Sequence, residues 1–122
     1  MHRYKSLDAW KWAHRCALRA LQLTDEAYHP RSRSLFDQIR RAAVSIEANL
    51  VEGYGLGTPA QFSRHLRIAR GSAAEAECLV HLAVELGYLR EQAGAELEKA
   101  LDNALSTIYG LLKARRHGAS PA

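Results

Sequence analysis

Apolar residues recur at intervals of three and four in four long runs of this chain, the spacing that lays a stripe along one side of an α-helix. The first run, from about Leu7 to Tyr28, repeats Trp10, Ala13, Ala17, Leu21 and Thr24, with Lys11, Arg15, Arg19, Gln22 and Asp25 on other faces. Ser6 is placed to cap its start. Pro30 ends it, because the residue before a proline is pushed out of the α region. The second run, from near Ser34 to Glu52, repeats Leu35, Ile39, Ala42, Ala43, Ile46 and Leu50. Gly53 then offers a residue able to take positive φ, and GYGLG at 53–57 reads as the clearest break in the chain.

The third run has the plainest start. Thr58 supplies a cap hydroxyl, Pro59 suits the first helical position, and Gln61 is spaced for a capping box. Phe62, Leu66, Ala69, Ala73, Ala76, Val80 and Ala83 hold its stripe, widened by Leu79, Leu82 and Leu86, until Gly87. A helix of about 28 residues extends roughly 42 Å and needs long neighbours to cover it. The fourth run, about Arg90 to Ala114, supplies Ala93, Leu97, Leu101, Ala104, Leu105, Ile108, Leu111 and Leu112, with Gly94 and Gly110 weakening its ends.

Short connections between long helices favour antiparallel neighbours. The predicted fold class is therefore all-α, an antiparallel up-down-up-down four-helix bundle forming one domain over 1–122 with frayed ends at 1–5 and 115–122. A three-helix bundle with a detached first or fourth helix is the weaker alternative, since both of those helices carry stripes that need burial.

Composition agrees with helix: 48% of the 122 residues are hydrophobic, 25% are charged, and there are three prolines. The two cysteines, Cys16 and Cys78, make no disulfide framework and point to a reducing compartment. No apolar stretch is long enough for a membrane span and no signal-peptide pattern opens the chain, so the expected location is cytoplasmic, with no membrane partner. The formal net charge of +4 favours anionic partners only modestly.

Candidate catalytic chemistry is sparse. His2, His14, His29, His65, His81 and His117 are scattered, and no HExxH, CxxC or GxxxxGK pattern occurs. Glu77, His81 and Glu85 share a helical face at four-residue steps, but that face points away from the apolar stripe, so a solvated surface is favoured over a metal site. Cys16 and Cys78 read as small hydrophobes rather than nucleophiles. The expectation is a protein that presents surfaces to a partner and is not an enzyme, with no cofactor and no metal; an enzyme with a site assembled between subunits is the weakest alternative.

Arginine carries the most distinctive pattern. Arg40 and Arg41 border the second stripe, and Arg64, Arg67 and Arg70 follow at three-residue steps, where like charges repel unless answered. Glu47, Glu52, Glu75 and Glu77 could answer them as ion pairs within or between subunits. Phosphate of RNA or DNA is the alternative, since arginine matches it in bidentate geometry, and a hydrated surface is the third. Within the third run, Gly71 and Ser72 mark a place where another backbone approaches, across the bundle or between subunits. The basic segment Lys113 to His117 suits the negative end of the last helix.

The stretches YKSLDAWKWA at 4–13, QIRRAAVSIEANLVEGYG at 38–55, FSRHLRIARGSAAEAE at 62–77 and AVELGYL at 83–89 resemble the bacterial four-helix-bundle family of 23S rRNA intervening-sequence proteins. Leu50 and Val51 stand where that family commonly has isoleucine and alanine, and no aromatic-proline-acid sequence follows Tyr28. The resemblance implies a homo-oligomeric ring, a pentamer. A remoter similarity of fold is to accessory proteins of diversity-generating retroelements, which bind a reverse transcriptase and nucleic acid. Carried over, it makes Arg40, Arg41, Arg64, Arg67 and Arg70 the phosphate contacts to test, with Glu52, Glu75 and Glu77 ordering them, and RNA or a nucleic-acid-processing protein the partner.

Overall fold

The computed structural model describes residues 3–116 and consists of four α-helices, α1 (Asp8–Glu26), α2 (Arg33–Leu56), α3 (Pro59–Glu85) and α4 (Glu91–Arg116). Packing runs α1 to α2 to α3 to α4 and back to α1, so the helices enclose one core in the up-down-up-down order that short connections favour. No strand occurs among the described residues. A 3-10 turn at Arg3–Ser6 precedes α1, where a frayed end was expected, and α4 continues through Arg116. The expected fraying of 117–122 falls outside the described residues.

Local chemistry sets most boundaries. Thr58 accepts the Gln61 backbone N–H at 3.2 Å with Pro59 at the first helical position, so the hydroxyl half of the expected cap is in place. Gly87 takes φ +77, and the N–H groups of Tyr88 and Leu89 both return to the Ala83 carbonyl, closing α3. Between α1 and α2, His29 Nδ1 accepts from the Arg31 N–H and the Ser32 hydroxyl donates to the His29 carbonyl, which caps a short 3-10 turn on Pro30. Ser6 does not cap α1; Leu7 occupies that position, its side chain buried instead.

The inward faces combine small and large side chains. Ala9, Ala13, Ala17 and Ala20 on α1 and Ala69, Ala73, Ala76 and Ala83 on α3 are buried, and they meet Phe36, Ile39, Ile46 and Leu50 of α2 and Leu97, Leu101 and Ile108 of α4. Leu21, expected on the first stripe, is 39% exposed, and Cys16, Ala20 and Leu23 take the core positions. Alanine is a weak periodic marker because it is small enough for either face. Burial pushes the Cys16 thiol up to about 12, which keeps it protonated and unreactive.

Two glycine assignments are reversed. The GYGLG segment does not break α2, which stays helical through Leu56 and turns only at Gly57, φ +78. Gly53 is there for contact: a Cβ at this position would lie 2.5 Å from His65 Cβ. Gly94 likewise admits Val84, whose Cγ2 would be 2.4 Å from an added Cβ. Gly71, expected to admit a backbone, is exposed with nothing within 4 Å of an added Cβ, so no helix of its own chain approaches it. Gly53→Ala is therefore expected to lower the unfolding free energy by about 1–3 kcal/mol through overpacking. Gly71→Ala is expected to raise it by up to about 1 kcal/mol through helix propensity; urea denaturation of the two variants checks both signs.

Candidate functional site

A line of polar side chains runs between α2 and α3. Ser45 and Ser72 share a hydrogen bond of 2.9 Å, so Ser72 joins the two helices through its hydroxyl. The Asn49 amide nitrogen donates to the Ser45 carbonyl at 2.8 Å, which fixes the amide orientation, and its Oδ1 accepts from His65 Nδ1 at 2.9 Å. His65 is 7% exposed. The sequence shows His65 only as one of the scattered histidines. Its burial depends on the absent side chain of Gly53, 12 residues away in the chain, and periodicity carries no sign of that.

Those contacts also set the register. With Ser45 opposite Ser72 and both Asn49 and Gly53 against His65, the antiparallel pairing places Glu52 level with Arg64 and Arg41 level with Glu75. All four side chains are exposed, and neither pair is in ion-pair contact among the described residues. Arg67 and Arg70 are exposed and also lack an acidic partner among the described residues. Each three-residue step turns about 60° around a helix. Arg64, Arg67 and Arg70 consequently fan around the outer face of α3 from its α2 side to its α4 side, rather than stacking in a ladder.

Arg40 has a different role. Its Nε donates to Thr24 Oγ1 at 2.8 Å and one terminal nitrogen to Asp25 Oδ1 at 2.6 Å, with Asp37 at 3.8 Å, which ties α2 to the end of α1. It is a structural contact, separate from the exposed set. Glu47 is held by His14 Nδ1 at 2.8 Å.

Glu77 does not order an arginine either. It faces α4, where desolvation raises its pKa, helped by the charge of Asp102, the shared hydrogen bond with Asp102, and the charge of Glu98. His81 bridges Glu85 at 3.5 Å and Glu98 at 3.6 Å on the same side. Among the described residues no group of three or more His, Cys, Asp or Glu is arranged to hold a metal ion. Glu77, Glu85, Glu98 and Asp102 thus make the α3/α4 seam acidic, while Arg64, Arg67 and Arg70 make the outer face of α3 basic.

A third surface lies between α1 and α4. Arg19 clamps Glu96 through Nε to Oε2 and through NH2 to Oε1 at 3.0 Å, and the hydrogen bond from Arg19 lowers the Glu96 pKa. Above this pair opens a cavity of about 760 Å³ beside Trp12. No helix among the described residues is long and apolar enough to cross a membrane.

Two stability measurements follow from this geometry. Arg40→Met is expected to cost about 1 kcal/mol, against less than about 0.5 kcal/mol for Arg67→Met, read by denaturant titration. Glu77 has a folded pKa above its unfolded value, so its contribution is favourable below the unfolded pKa and is lost as pH rises through the folded one. Asp102→Asn should therefore raise the melting temperature at pH 7 by about 1–2 °C, the scale of a few tenths of a kcal/mol, and the gain should disappear as Glu77 protonates in acid.

Comparison with known proteins agrees with this architecture. The family model of the 23S rRNA-intervening sequence protein matches residues 5–110. Among curated proteins none matches. A solved protein of unknown function from the S23 ribosomal protein family of Bacteroides thetaiotaomicron superposes with a TM-score of 0.75 at 20% identity, covering 86% of this chain and 98% of that one. At that identity the likeness is one of fold.

Proposed function

The chain belongs to the 23S rRNA-intervening sequence protein family, and from this premise we propose that it is a non-enzymatic, homo-oligomeric adaptor whose outer α2/α3 face binds RNA phosphate. The observation that supports this most is the set Arg41, Arg64, Arg67 and Arg70, exposed on rigid helices and without ion-pair partners among the described residues. Guanidinium groups left unanswered by carboxylate are open to bidentate phosphate contact, and the fan across α3 suits an extended polyanion better than one compact anion. Arg40, engaged with Thr24 and Asp25, is left out of the binding set.

In this proposal the assembly is a homopentameric ring, located in the cytoplasm. Exposed Val44, Ile68 and Leu82 on α2 and α3, at 42%, 41% and 43%, supply apolar surface that a second copy could cover.

One observation favours a protein-only scaffold as a second reading. Glu52 and Glu75 lie level with arginines yet have no ion-pair partner among the described residues, a pattern that a neighbouring subunit could complete. Under that reading Arg67→Glu/Arg70→Glu changes the oligomer mass in light scattering even without nucleic acid.

Fluorescence anisotropy with a structured RNA tests the leading reading. Binding should weaken steeply between 50 and 200 mM salt, and Arg64→Glu/Arg67→Glu/Arg70→Glu should flatten the log–log salt slope by about one unit per lost contact. An unchanged slope, or no binding at low salt, would reject direct RNA contact by this face.

A further inference from the structure

The cavity between α1 and α4 has the composition of a seat for a nucleic-acid base. Its apolar lining includes the half-buried indole of Trp12, Leu18 at 47% exposure and Ala100. Lys11, Arg15 and Lys99 rim it. The nearest acid, Glu96, is already taken up by Arg19. Asp8 is 4.0 Å from Lys11, both side chains being largely in water, and neither Arg15 nor Lys99 makes an ion pair among the described residues. The groove therefore combines a flat aromatic surface with uncompensated positive charge. Asn103 adds an amide at its edge, able both to donate and to accept.

From this arrangement we infer that the α1/α4 groove binds single-stranded RNA, one unpaired base stacking on Trp12 and the flanking phosphates meeting Lys11, Arg15 and Lys99. The Arg15 guanidinium now lies over the Trp12 ring, 5.5 Å from its centroid. An entering base takes that place, and the exposed guanidinium turns to the backbone phosphate. Base-on-indole stacking tolerates any base and operates beside a cationic rim, which is how single strands are held without sequence readout. A volume of about 760 Å³ admits a nucleotide. Charge complementarity decides against an uncharged occupant. This inference rests on the reading of the protein as an RNA binder and adds a second surface to the α2/α3 face.

The experiment compares a uridine oligoribonucleotide with an abasic oligomer of equal length, followed by anisotropy and by quenching of tryptophan fluorescence. The uridine oligomer should bind more tightly and quench. Trp12→Leu should abolish the quench and weaken uridine binding by about tenfold, to the abasic level. Lys99→Glu, a change at an exposed side chain, should weaken both oligomers, and circular dichroism confirms that each variant folds. Equal affinity for the two oligomers, or a quench that survives Trp12→Leu, overturns the base seat while leaving the arginine face intact. Base-dependent binding that persists in Arg64→Glu/Arg67→Glu/Arg70→Glu sustains the seat and rejects the arginine face. Absence of all oligonucleotide binding overturns both. So does Trp12-dependent capture of an acidic leucine/glutamate amphipathic peptide in place of RNA, which would make the groove a protein-docking site.

Discussion

The arrangement depends on small side chains being matched to large ones around one core. Alanine dominates the inward face of α1, while α2, α3 and α4 each set buried alanines beside large residues such as Phe36, Ile46, Leu66, Val80, Leu101 and Ile108. Interiors pack at close to crystalline density, so large residues on all four helices would force the backbones apart and small ones throughout would leave voids. Where small residues let two helices approach, the seam also sheds water, and every polar group there needs a protein partner. The chain Ser72, Ser45, Asn49 and His65 satisfies that requirement between α2 and α3. Gly53 makes the requirement strict, because it brings His65 against the α2 backbone.

The same packing sorts the charges. Arg40 and Arg41 are adjacent in sequence, but a turn of about 100° separates them on the helix. One meets Thr24 and Asp25 across the seam with α1; the other has no ion-pair partner among the described residues. On α3, Glu77 turns to the acids of α4, whereas Arg64 and Arg67 stay outward. The result is a basic outer face on α3 beside an acidic α3/α4 seam, from a modest net charge of +4. Such separation attracts a polyanion to one side and repels it from the other, setting orientation as well as attraction.

Helix number, order and type were legible because stripes, prolines and the Thr58 cap are local signals. The glycines were misread for an equally physical reason. A glycine records that a side chain is absent, without recording whether the cause is positive φ or a neighbour in the space. Gly53 lies at the edge of a glycine-rich segment and mimics a helix end, and its real cause is His65 on the next helix. Gly71 sits mid-helix like a packing glycine, yet faces outward. Site residues divide in the same way. That Arg64, Arg67 and Arg70 stand outside the core follows from helical period; that Arg40 is engaged depends on Thr24 and Asp25, across a loop. The α1/α4 groove joins Trp12 to Lys99, a juxtaposition no local pattern contains.

The unpaired acids and arginines on α2/α3 constrain what can cover that face. Register puts Glu52 with Arg64 and Glu75 with Arg41, so the side toward α2 is nearly neutral as a set. Arg67 and Arg70 lie farther round toward α4, where Glu77 and Asp102 share a hydrogen bond with each other. A second copy presenting this same face would bring Arg67 and Arg70 toward their own counterparts, adding repulsion at the point where positive charge is already in excess. A phosphate backbone carries negative charge at regular intervals and few positive groups. It can answer those two arginines without disturbing the near-neutral strip beside them, and so the charge arrangement favours RNA on this face over a like-on-like protein contact.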